Sequence, residues 1–139
     1  ERFEPHSRER LLAGAMIPSA WYLQAQRFRR HARQAMKSLF SQADVLIAPA
    51  TPCSATPIGA EEMVINGQPL PVRASMGMLT QPISFLGLPV VTVPLRTASG
   101  KPIGLQLIAA PFNEQACLRA ARALEAMGIT DARVAESAA

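Results

Sequence analysis

Val90-Val91-Thr92-Val93-Pro94-Leu95, the turn Ser99-Gly100-Lys101 and Gly104-Leu105-Gln106-Leu107-Ile108-Ala109 decide the fold. Each apolar run is short, bounded by turn residues and rich in branched side chains, which reads as a buried strand. The glycine-containing turn between them is short enough to make the two strands antiparallel neighbours. Upstream, Val45-Leu46-Ile47-Ala48 follows Asp44 and reads as a third buried strand.

Helical patterns surround these runs. Ser7 is positioned to cap a helix over Arg8–Ile17 that Pro18 closes, and Ser19 to cap a longer one reaching about Ala43. In the longer helix Leu23, Phe28, Ala32, Ala35, Met36, Leu39 and Phe40 recur mostly at three- and four-residue steps, which predicts one buried stripe. Residues 49–71 form a proline-rich loop. Inside it, Met63-Val64-Ile65 and Gln68-Pro69-Leu70 flank Asn66-Gly67, a dipeptide suited to a type I′ hairpin turn; the prolines confine that hairpin to a flap or sheet edge. Arg73–Leu79 is expected to be helical and to end at Pro82. Asn113 is expected to cap a last helix, Glu114–Met127, with Gly128 as the residue beyond its end and Ala116, Leu118, Ala121, Leu124 and Met127 facing the core. Ala132–Ala139 reads as a frayed tail. The result is an α/β layered fold with too few strong strands to cover its own sheet edges, which predicts a piece of a larger, mixed sheet.

Composition narrows the function. A chain of 139 residues with 49% hydrophobic and 17% charged residues is globular rather than disordered. Prolines interrupt every apolar stretch before it reaches the roughly 18 residues of a membrane span, and no membrane partner is expected. Cys53 and Cys117 are too few for a disulfide framework, which favours a reducing, cytoplasmic location. His6 and His31 have no metal-ligand spacing to either cysteine, so neither a metal nor another cofactor is expected. The net charge is +4, and Arg27, Arg29, Arg30 and Arg33 crowd one helix. Without interleaved aromatics or a reader motif, they read as a solvated face rather than a nucleic-acid site.

Five segments occur in order: Arg10-Leu-Leu-Ala-Gly14; Tyr22-Leu-Gln-Ala-Gln-Arg27; Asp44-Val-Leu-Ile-Ala-Pro-Ala-Thr-Pro52; Thr80-Gln-Pro-Ile-Ser-Phe-Leu-Gly-Leu-Pro89; and Gly104-Leu-Gln-Leu-Ile108. Together they resemble the C-terminal third of an amidase signature enzyme, over about residues 8–127, leaving 128–139 as the tail. The pairing of the Thr80 segment with Pro18-Ser-Ala-Trp-Tyr-Leu-Gln-Ala-Gln-Arg27 most resembles the branch that hydrolyses carboxybiuret in bacterial cyanuric acid breakdown. The resemblance implies an α/β/α fold around a mixed sheet and hydrolysis of a linear amide or ureide through a Ser–cis-Ser–Lys triad. In that triad a neutral lysine draws a proton through the bridging serine to activate the second. This chain has no glycine- and serine-rich nucleophile segment. Its two lysines, Lys37 and Lys101, lie in a helix and a turn outside any family context. No catalytic residue is therefore assigned, and the chain alone is expected to be inactive. The missing triad, with a first residue Glu1 rather than Met, points to a fragment of a longer protein.

The resemblance also implies substrate-binding residues. In the family's amidotransferases, an arginine in the Arg10-x-x-x-Gly14 context grips the substrate carboxylate, which suits the bidentate geometry of a guanidinium; the alternative for Arg10 is a solvated helix arginine beside Glu9. Tyr22 matches a tyrosine near the substrate, or is a half-buried helix tyrosine with its hydroxyl at the surface. Thr80 and Ser84 flank a loop that approaches the pocket. Here the sequence departs from the amidotransferase pattern, with Gly77 in place of an aspartate and Ser84 in place of an asparagine. Losing that aspartate removes an acceptor for a substrate amine, which argues against glutamine and fits a smaller, acidic substrate. Arg73 offers a second cation or a surface charge. Cys53 is either a small buried hydrophobe or, without a neighbouring histidine, an unassisted nucleophile. Expected partners are the small amide or ureide, an N-terminal part or another chain, and a second copy if the open sheet edge drives dimerisation. That last case would make the chain a non-catalytic interaction module.

Overall fold

The computed structural model describes residues 3–130, so the tail expected over Ala132–Ala139 lies outside the described residues. In chain order the elements are α1 (Pro5–Ala15), α2 (Ser19–Phe40), β1 (Val45–Pro49), β2 (Glu62–Ile65), β3 (Gln68–Pro71), α3 (Val72–Ser75), α4 (Gln81–Leu86), β4 (Val90–Arg96), β5 (Pro102–Ala109) and α5 (Glu114–Ala126). The chain divides within α2 into two compact units, one ending at Ala35 and the other starting at Met36.

In the first unit the caps differ from expectation. The Glu4 carbonyl accepts the Arg8 N–H at 2.9 Å. The Glu4 carboxylate accepts both the N–H and the hydroxyl of Ser7, at 2.9 and 3.0 Å. Glu4 therefore caps α1 in place of Ser7, and Pro5, which has no N–H to satisfy, occupies the first helical turn. The Pro18 carbonyl, not the Ser19 hydroxyl, takes up the first N–H groups of α2, from Trp21 and Tyr22. The stripe of α2 is helical as predicted, but no residue of α2 is buried. Leu23, Phe28 and Leu39 are all exposed.

The second unit is built on a three-stranded antiparallel sheet of order β1-β5-β4, with β5 central. Ile47 pairs with Leu107 and Ala48 with Gln106 on one side; Val91 pairs with Leu107 and Thr92 with Gln106 on the other. Alternation sends Val45, Val91 and Ala109 to one face, where α5 covers them with Ala116 and Cys117. Leu107, Ala109 and Cys117 are fully buried. Of the expected inward stripe of α5, Ala116 is buried and Ala121 and Leu124 are half-buried, whereas two positions differ. Cys117 is buried in place of Leu118, and Leu118 and Met127 are exposed. The Cys117 thiol packs with Ala109 and Ala116, against Val45 and Val91. Asn113 makes no side-chain capping bond, whereas Gly128 takes the left-handed conformation expected beyond the helix end (φ 68°).

The β2–β3 hairpin forms at the predicted register, Ile65 opposite Gln68. Asn66 and Gly67 both have positive φ, 51° and 77°, as a type I′ turn requires. Pro82 does not terminate a helix. The helical turn at Val72–Ser75 is already over, and Pro82 stands in the first turn of α4. A ring without an N–H is accommodated there at no cost in hydrogen bonds. Gly87 then closes α4 in the left-handed region (φ 67°) and turns the chain into β4.

Candidate functional site

The other face of the sheet carries Gly104, Gln106 and Thr92. A cleft of about 550 Å³ opens over it, lined by Thr51, Cys53, Ser54 and Thr56 from the loop after β1, by Met76, and by Thr92 and Gly104 of the sheet, among others. No charged side chain lines it. Its polar groups are hydroxyls, which suit neutral hydrogen-bonding groups of a ligand. The lip is ordered from within: the Thr51 hydroxyl donates to the Cys53 carbonyl at 2.8 Å, and the Ala50 N–H donates to the Gly104 carbonyl at 2.8 Å. Cys53 places its thiol 3.6 Å from the Met63 sulfur. Cys53 is half-buried, and no histidine is among the residues lining the cleft with it.

Thr80 and Ser84 are brought together. The Ser84 N–H donates to the Thr80 carbonyl at 3.0 Å, one helical turn along, and the Thr80 hydroxyl donates to the Gly77 carbonyl at 3.2 Å. Thr80 is half-buried and Ser84 exposed. A Cβ at position 77 would lie 3.0 Å from the Gln81 amide nitrogen, the end of an exposed side chain that has room to move. Arg10 is exposed on α1, and Tyr22 is 60% exposed on α2. Both belong to the first unit, whereas Thr80 and Ser84 belong to the second. Arg73 lies exposed on α3. Among the described residues no helix is long and apolar enough to cross a membrane, and no three His, Cys, Asp or Glu side chains gather as a metal site.

One residue of this region escaped the sequence reading. Gln106 is 2% exposed, and its Nε2 donates to the Pro49 carbonyl at 2.9 Å and the Leu79 carbonyl at 3.2 Å. The available signal was a polar amide inside the apolar run Leu105-Gln106-Leu107-Ile108. On the opposite side of the sheet, burial pushes the Cys117 thiol pKa up; backbone groups around Val91 and Ala109 offset part of that rise, and the charge of Glu114 adds to it.

Comparison with known proteins accounts for this arrangement. A family profile described as Amidase matches residues 1–118. The chain is 54% identical over 129 residues to AtzE, a component of the 1-carboxybiuret hydrolase of Pseudomonas sp. (strain ADP), covering 91% of this chain and 28% of that protein. It is 38% identical over 122 residues to a glutamyl-tRNA(Gln) amidotransferase component of Roseiflexus sp. (strain RS-1), covering 84% of this chain and 24% of that one. Among solved structures, one described as "An unexpected vestigial protein complex reveals the evolutionary origins of an s-triazine catabolic enzyme" superposes with a TM-score of 0.88 at 51% identity, over 95% of this chain and 29% of the other. A crystal structure of an amidase superposes with a TM-score of 0.83 at 32% identity, over 90% of this chain and 29% of the other. The chain thus spans less than a third of the length of these relatives. The matched motifs, the α/β fold and the family profile agree: this chain belongs to the amidase family.

Proposed function

We propose that the chain is the C-terminal portion of an amidase signature hydrolase acting on a small linear amide or ureide that carries a carboxylate, as carboxybiuret does. The observation that carries this reading is the 54% identity to a 1-carboxybiuret hydrolase component over nearly the whole chain. In the proposed enzyme the second unit supplies sheet strands and one wall of the substrate pocket, with Thr80 and Ser84 presenting hydroxyls to the ureide. Arg10 pairs with the carboxylate and Tyr22 lies beside the substrate. Glycine at position 77, where the amidotransferases carry an aspartate, supports an acidic substrate over glutamine. The Ser–cis-Ser–Lys triad comes from sequence outside these 139 residues, and the reaction is a cytoplasmic one.

A chimera tests the proposal. The 139 residues replace the matching segment of the Pseudomonas relative, and hydrolysis of carboxybiuret is followed by ammonia release. An active chimera, together with an inactive isolated chain, is the expected pair of results. A folded chimera that hydrolyses neither carboxybiuret nor other small amides overturns the catalytic reading.

A second reading rests on the sheet edges. Among the described residues β1 and β4 pair only with β5, so each has one side without a strand partner. A non-catalytic unit could bury those edges by pairing with a second copy. Light scattering decides it: a monomer at high concentration excludes this reading, and a dimer dissociated by a proline placed in the outer edge of β1 supports it.

A further inference from the structure

Among the described residues the buried set contains one polar side chain, that of Gln106. A primary amide placed in the middle of a central strand would be costly if its hydrogens had no partners. Both acceptors near Nε2 are backbone carbonyls, Pro49 at 2.9 Å and Leu79 at 3.2 Å. A carbonyl cannot donate, so the nitrogen must be the atom that faces them. Its two hydrogens therefore join two distant stretches of chain to one point of β5. Pro49 is the last residue of β1, immediately before Ala50 and the Thr51 lip of the cleft. Leu79 immediately precedes Thr80, whose carbonyl starts α4.

We propose that Gln106 is a positioning residue, clamping the Thr51 lip and the Thr80–Ser84 segment to the central strand through its one amide nitrogen. Its relevance to substrate rests on the function proposed above, in which Thr80 and Ser84 face the ureide. The clamp holds two loops at a fixed separation with a side chain that is itself withdrawn from the surface. Packing alone would not do this, because an apolar side chain at 106 would fill the space yet leave both carbonyls without a donor.

The clamp has a signature in the unaltered protein. The two Gln106 side-chain amide protons are expected to exchange with solvent at least about tenfold more slowly than those of exposed glutamines such as Gln24; exchange at the exposed rate overturns the proposal. In Gln106→Leu, the Ser84 and Gly87 amides of α4 are expected to exchange about tenfold faster, while the Met127 amide of α5 changes less than about twofold. Unchanged α4 rates, or α4 and α5 rates rising together, overturn it. Gln106→Glu keeps the shape and adds a pH test. An ionised carboxylate cannot donate, so α4 protection is lost at neutral pH; a protonated one donates a single bond, so part returns on acidification. Absence of any recovery in a chain that remains folded overturns the proposal. In the chimera described above, Gln106→Glu is expected to raise KM about fivefold or more with a smaller change in kcat. Should the chimera be inactive with Gln106 in place, the functional reading fails, while the exchange data still decide the clamp.

Discussion

Thr92 stands so close to Gly104, diagonally across β4 and β5, that a Cβ built on Gly104 would lie 2.9 Å from the Thr92 methyl carbon. The same atom would lie 2.9 Å from the Ala50 Cβ. Neither neighbour can swing aside, since one is a branched strand residue and the other a bare methyl. Gly104→Ala is therefore expected to destabilise the fold by about 1–3 kcal/mol through overpacking. Urea titration checks this, and an unchanged midpoint would show that the strands separate freely there.

Leu107 is fully buried in the central strand, whereas Ile58 is fully exposed in the loop after β1. Leu107→Ala is expected to cost about 2–5 kcal/mol, and Ile58→Ser less than about 0.5 kcal/mol. Thermal melts of the two variants, measured side by side, separate a residue that holds the sheet from one that merely happens to be apolar.

Cys117 makes stability depend on alkaline pH. Its thiol pKa is raised in the folded chain, first by burial. Between the unfolded and folded pKa values the unfolded chain has released this proton and the folded chain has not. The stability is thus fully present below the ordinary thiol pKa of about 8.5 and drains away as pH rises through the folded value. Denaturant midpoints from pH 7 to pH 10 should fall more steeply for the native chain than for Cys117→Ala. Parallel curves would mean that burial does not hold the proton.

The Asn66-Gly67 turn predicts a local effect. Gly67 sits at φ 77°, a conformation that costs a residue with a side chain about 1–2 kcal/mol. Gly67→Val should speed amide exchange across β2 and β3 while leaving β5 protected, because the hairpin pairs within its own two-stranded sheet. Equal loss in both sheets would show that the flap supports the core.

Arg10 offers a functional check in the chimera. Arg10→Lys keeps the charge and loses the planar fork, so KM for a carboxylate substrate should rise about tenfold or more, the scale of a charge-assisted hydrogen bond. An amide substrate lacking a carboxylate should show no such change; an equal loss on both would assign Arg10 to structure.

The strands were legible because branched residues between turn signals leave few other options, and Asn66-Gly67 named its own turn. Pro82 misled, since the same missing N–H ends one helix or begins another, and only the earlier stop at Ser75 decides which. On α5, periodicity could not distinguish Cys117 from Leu118, because neighbouring positions on a helix edge differ by the shape of what faces them. The family was legible from the order of five motifs. Gln106 stood inside one of them, yet its partners are carbonyls brought to it from distant parts of the chain, and that is a property of tertiary structure alone.

The strand order β1-β5-β4 imposes an order of assembly. β4 meets its neighbour across a short turn, but Val45 must wait for Ala109. Among the described residues Val45–Ala48 pairs only with β5, and loop closure across the intervening chain brings it there. A chain released before Pro102 is expected to leave β1 unprotected and prone to aggregate, and one released after Ala109 to bury it. Docking of β1 therefore depends on a strand more than fifty residues further along the chain, Val45 closing on Ala109.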